Sequence, residues 1–116
     1  MKFIQILRRR VLEEREKIKS YLGFAIKSRK ILFGLDNIES YKKHIYLILI
    51  GNNLTEKNEN KMIRKAKQLN CTLMKVDENF GDLICRPTCK LCALTDINLS
   101  KGITAFNKGI IFKGEI

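Results

Sequence analysis

Residues Ile45 to Ile50 are six apolar positions in a row, stopped by Gly51-Asn52-Asn53. An uninterrupted run of this kind suits a strand buried on both faces of a parallel or mixed sheet. Away from it the spacing turns helical. Ile18, Tyr21, Leu22, Ala25 and Ile26 recur at helical intervals and predict a helix reaching about residue 28. Ile31-Leu32-Phe33 is β-prone and is halted by Gly34. Asp36-Asn37-Ile38-Glu39 has the spacing of a capping box, so a short helix over 36–43 is expected, with Asp36 as its N-cap. Thr55 is placed to cap the next helix, in which Met62, Ile63, Ala66 and Leu69 form one apolar stripe while Lys57, Lys61, Arg64 and Lys65 stay in water. Strands over 71–76 and 91–95, a helical turn over 79–84 and a last helix over 98–106 complete the pattern. Strands alternating with helices at intervals too short for hairpins require crossovers. The prediction is an α/β fold: a three-layer α/β/α sandwich on a small mixed four-stranded sheet.

Two stretches stay open. Phe3, Leu7 and Val11 repeat every four residues, so residues 1–17 are either a basic N-terminal extension or the start of the first helix, ahead of a single domain over 18–116. The tail Ile110-Ile111-Phe112, isolated by Gly109 and Gly114, could be a fifth strand, a cover for the first helix or a partner site.

Composition narrows the partner more than the fold. The 116 residues are enough for one hydrophobic core, and 45% apolar residues with a single proline argue against disorder. Lysine and arginine outnumber aspartate and glutamate by 23 to 12, a net charge of +11 that favours a polyanion. The excess leans towards the N-terminal part, where residues 1–30 carry ten basic and three acidic side chains. Arg8, Arg9 and Arg10 interrupt the apolar run at the start of the chain, so neither a signal-peptide core nor a membrane span is expected and the protein is placed in the cytoplasm. There the four cysteines should be reduced thiols.

Several strings together resemble the large-subunit ribosomal protein family L-seven-Ae, and more closely its small bacterial YlxQ-like members. They are Leu22-Gly23-Phe24-Ala25 followed by Ser28-Arg29-Lys30-Ile31, Gly34 before the second helix, the apolar strand 45–50, the basic third helix, Arg86-Pro87-Thr88, and Ala93-Leu94-Thr95-Asp96. The match covers about residues 18–106. The resemblance implies recognition of a kink-turn, a sharply bent RNA duplex stacked on sheared G·A pairs with one nucleotide extruded, and no catalytic activity. A glycine ahead of a helix lets backbone approach RNA, and the N–H groups of the helix start suit phosphates and base edges. Asp36, Asn37 and Ser40 stand where the family carries asparagine, glutamate and lysine. Asp36 accepts hydrogen bonds but cannot donate them when ionised, whereas Asn37 does both. The expected RNA-binding residues are Gly34, Asp36, Asn37, Lys42 and Lys43 on one side, with Lys30 expected on a phosphate. On the other are Ile84, Arg86, Pro87 and Thr88, from the family loop that covers the extruded nucleotide. The implied partner is RNA, ribosomal RNA first, with ribosomal proteins nearby, no membrane, and a monomeric protein.

A different class of reading is a protein-interaction adaptor that keeps the fold without the kink-turn. An enzyme or metalloprotein is not expected, because no nucleophile–base pair, carboxylate pair or phosphate-cradling glycine loop is visible. Cys85, Cys89 and Cys92 have the C-x3-C-x2-C spacing of iron–sulfur radical enzymes, but the strand beginning near Leu91 would point Cys92 into the sheet, so small buried or loop thiols are expected, with no metal or cofactor. His44 is read as a helix-end residue favoured by the dipole. The arginines at 8–10 are a solvated stretch or an unselective backbone contact.

Overall fold

The computed structural model describes residues 16–76, 81, 84, 86, 88–104 and, for the backbone, 111–113. In chain order these form α1 (16–27), β1 (Ile31–Phe33), α2 (Leu35–Ser40), β2 (Leu47–Ile50), α3 (Glu56–Leu69), β3 (Thr72–Val76), β4 (Leu91–Leu94), α4 (Ile97–Thr104) and β5 (Ile111–Lys113). The strands make one sheet in the order β1-β4-β2-β3-β5. β2 runs parallel to β3 and antiparallel to β4, with Ile48 opposite Leu73 on one side and Ala93 on the other. The sheet is therefore mixed, as expected. The tail adds a fifth strand on the β3 edge, with Lys75 opposite Phe112.

Alternation along β2 explains why its whole run is apolar. Leu47 and Leu49 face a core that also holds Ile18, Leu22 and Ala25 of α1 and Leu99 and Ile103 of α4. Ile48 and Ile50 face a second core with Ile38 of α2 and Met62 and Ala66 of α3. All four strand residues are buried, since successive side chains point to opposite faces and both faces carry helices. This is the three-layer α/β/α arrangement, with α1 and α4 on one side and α2 and α3 on the other. Gly102 lets α4 sit against α1: a Cβ there would lie 2.7 Å from the Tyr21 ring.

Two helices close in the same way without glycine. After α1, Arg29 takes a left-handed φ of 58°, its N–H donates to the Ile26 carbonyl at 3.2 Å and that of Lys30 to the Ala25 carbonyl at 2.9 Å. After α3, Asn70 at φ 54° repeats the pattern, with Cys71 N–H donating to the Ala66 carbonyl at 3.0 Å. Both are Schellman closures, which satisfy carbonyls the helix leaves orphaned. At its start α3 is capped by Thr55, whose hydroxyl oxygen accepts from Asn58 N–H at 3.3 Å, as the sequence predicts.

α2 departs from expectation at both ends. Gly34, not Asp36, is its N-cap, and no side chain caps it; Asp36 is already inside the first turn. The glycine's φ of 88° and ψ of 153° bend the chain so sharply that the helix begins at once with Leu35. It ends at Ser40 because Tyr41 is extended, at φ −70° and ψ 125°, short of the predicted residue 43. His44 is accordingly not a helix-end residue. Its ring packs edge-on against Tyr46, centroids 4.3 Å apart, in the segment leading into β2.

Candidate functional site

The crossovers β1-α2-β2 and β2-α3-β3 bring the carboxyl ends of β1 and β2, the first turns of α2 and α3, and the loop entering β4 to one edge of the sheet. That edge of an open α/β sheet is where connecting loops leave a crevice. Here it is a cleft of about 460 Å³ lined by Phe33 and Gly34, Leu54 and Asn58, and Arg86, Thr88, Cys89, Lys90 and Leu91.

Its walls are fastened to one another. The Arg86 guanidinium carbon lies 4.6 Å from the centroid of the Phe33 ring, a cation–π contact that ties the 86–90 loop to the end of β1. At an exposed site such a contact contributes about 0.5–1 kcal/mol. Arg86 N–H donates to the Gly81 carbonyl and Cys89 N–H to the Arg86 carbonyl, each at 2.9 Å, so the loop is held on both sides of the arginine. Gly51 N–H donates to the Lys90 carbonyl at 3.0 Å and joins the loop to the end of β2. On the floor, a Cβ on Gly34 would meet no atom within 4 Å, so a ligand can approach its backbone closely.

Asp36 and Asn37 are both exposed on the first turn of α2. The Asn37 amide nitrogen donates back to the Phe33 carbonyl at 2.7 Å. The Asp36 carboxylate adds a negative charge at the positive end of the helix, stabilising α2 while repelling any anion in the cleft.

The remaining predicted site residues divide. Thr88 is exposed in the cleft beside Arg86. Ile84 is only 8% exposed and belongs to the core shared with α1 and α4, so it supports the loop and does not face a ligand. Pro87 lies outside the described residues. Lys30 is exposed but precedes β1, whereas Gly34 follows it, so a strand length of roughly 13 Å separates the two. Lys42 and Lys43 are exposed beyond the far end of α2, about 9 Å of helix from Gly34. The geometry thus gathers Gly34, Arg86 and Thr88 in one cleft, sets Asp36 and Asn37 on the helix turn that follows Gly34, and places the three lysines at the opposite end of the strands. Sequence reading missed Phe33, Asn58 and Lys90. For Lys90 the signal was there: a cation two residues after the predicted site residue Thr88 and immediately ahead of the predicted strand 91–95.

The thiols near the cleft are protonated core and loop groups. Burial pushes Cys92 well above the ordinary thiol value of 9.0, and the neighbouring Cys89 adds to the shift. Burial also raises Cys89, against the opposing effects of the Leu91 carbonyl contact and Arg86. Among the described residues no group of three histidine, cysteine, aspartate or glutamate side chains could hold a metal ion. A folded-state pKa above the unfolded one means that the stability tied to the neutral thiol is complete below pH 9.0 and is lost as pH rises past it. The urea midpoint should therefore be level from about pH 7 to 8.5 and fall above about 9, and fall less steeply in Cys92→Ala. Equal slopes in the two proteins would show that Cys92 ionisation does not limit alkaline stability.

No family model and no curated protein matches the chain. A solved structure of a protein with unknown function from Bacillus halodurans shares the fold, with a TM-score of 0.65 and 18% identity over 77% of this chain and 94% of that one. No described helix is long and apolar enough to cross a membrane.

Proposed function

We propose that the protein is a non-catalytic binder of structured RNA, of the kink-turn or a related bent duplex, acting in the cytoplasm on ribosomal RNA during ribosome assembly or on the ribosome. The observation that carries this reading is the meeting of Gly34, bare of side chain and open above, with Arg86 held over Phe33. The first offers close backbone approach at a helix start that no side chain caps. The second offers a cation on an aromatic face, beside the exposed Thr88 hydroxyl and Lys90 ammonium. A guanidinium and a ring so placed suit an unstacked base and its phosphate, which is how proteins read the irregular parts of RNA. The net charge of +11 supplies the attraction, and the resemblance to the L-seven-Ae family supplies the kink-turn. Ribosomal proteins are the expected neighbours of a monomeric protein bound there.

A second reading, the adaptor, draws on Asp36 and on the Asn37 amide spent on Phe33. One titration separates the two: binding to a kink-turn RNA and to a control whose G·A pairs are Watson–Crick pairs, at two salt concentrations. Selective binding that survives added salt is the expected result. Equal binding of both RNAs that weakens steeply with salt would leave only charge attraction and put the adaptor first.

A further inference from the structure

A second cleft lies between the helices that start at the Gly34 cleft. α2 and α3 both run back from the same sheet edge and lie in one layer. Asn58 of α3 lines the first cleft. Lys61, Arg64, Lys65 and Gln68 of the same helix, with Glu39 of α2, line a second one of about 630 Å³. At about 3.6 residues per turn, positions 58, 61, 65 and 68 share one stripe of α3 with 64 at its border, so the two clefts follow one face of that helix over roughly 15 Å, the α2–α3 groove.

The α3 wall of the groove is basic, whereas the α2 wall carries Asp36 and Glu39 and no basic residue. From Asn60 to Val76 the chain has five basic residues and no acidic one. The acids of α3 lie in its first turn, and Glu59 is engaged 3.0 Å from Lys75 of β3. Among the described residues Glu39 is the one acid lining the second cleft, and Lys65 is anchored there by donating to its main-chain carbonyl at 3.2 Å. Lys61 thus stands three and four residues from Arg64 and Lys65, spacings at which like charges destabilise a helix. An anion laid in the groove would remove that repulsion. Lys42 and Lys43, stranded at the far end of α2 when the upper cleft is taken alone, come three and four residues after Glu39, past the end of α2.

We propose that the α2–α3 groove is a track for the sugar–phosphate backbone of an RNA stem, which leaves the Gly34 cleft and runs over Lys61 and Arg64 towards Lys42 and Lys43. This rests on the RNA reading above and names the side on which one stem lies. The test is the full chain carrying Lys61→Gln and Arg64→Gln, with Lys65 kept because it closes α2. Binding to the kink-turn RNA should weaken about fivefold at low salt, and the slope of log affinity against log salt should shrink by roughly 1.5, the release of two phosphate counterions. Preference over the Watson–Crick control should stay unchanged, and the melting temperature should hold or rise as the repulsion goes. A folded double variant with wild-type affinity and salt slope would overturn the groove while leaving the upper cleft standing. A wild-type protein that binds neither RNA would overturn both.

Discussion

Replacing Gly34 by valine should abolish selective RNA binding in a protein that still folds. The backbone at φ 88° and ψ 153° lies in a region that essentially only glycine occupies. A Cβ would meet nothing within 4 Å, so the penalty comes from the dihedrals and not from a clash. Such strain costs about 1–3 kcal/mol. Against a domain stability of about 5–15 kcal/mol the fold survives, with a melting temperature lowered by about 5–15 °C. Relief of the strain requires the Phe33–Leu35 turn to change. That turn carries the Gly34 carbonyl accepting from Ile38 N–H at 3.2 Å, the Phe33 carbonyl accepting from Asn37, and the ring under Arg86. Kink-turn affinity should fall by about a hundredfold, the equivalent of roughly 2.7 kcal/mol. Gly23→Val is the control: Gly23 sits on α1, across the sheet from α2, with open space at its Cβ and no positive φ. It should leave binding unchanged and stabilise the helix by a few tenths of a kcal/mol or so. A folded Gly34→Val protein that binds as before would remove the upper cleft as the RNA site.

What the sequence reveals here follows the range of the forces involved. β2 is legible because burial on two faces leaves a continuous apolar run. Thr55 is legible because a cap acts over a few residues. The start of α2 was misplaced by two residues because two local signals compete: Asp36 with Glu39 imitates a capping box, while Gly34 ends β1 in a conformation that starts the helix immediately. Phe33 reads as core in a short apolar strand, and only the tertiary fold brings Arg86 onto its ring. Ile84 reads as loop surface from its neighbours, yet a loop anchored at Gly81 and Cys89 turns it inward to the core. Lys30 and Gly34 are close in sequence, but a three-residue strand carries them to its opposite ends. Adjacency along the chain is a poor guide to adjacency in a site whenever a strand intervenes.

Asp36→Asn should tighten RNA binding by about tenfold, close to 1.4 kcal/mol, at a small cost in stability. Asp36 is exposed in the first turn of α2, two residues after Gly34, which lines the cleft. Its carboxylate is favourable for the free protein, because a negative charge at a helix start contributes about 0.3–1 kcal/mol. The same charge is unfavourable for a bound polyanion, and it offers no donor to a base edge or a phosphate. The amide removes the repulsion and adds two N–H donors where the family resemblance implies an asparagine. Free-protein stability and RNA affinity should therefore move in opposite directions, a signature that general damage to the fold would not produce. Because the repulsive component is screened, the gain should shrink between low and physiological salt, whereas the hydrogen-bond component should persist. A gain that vanishes entirely with salt would mean that Asp36 acts only as a distant charge. No gain at any salt would place the first turn of α2 away from the RNA, and the binding face would then have to be sought on the 86–90 loop and the α3 groove alone.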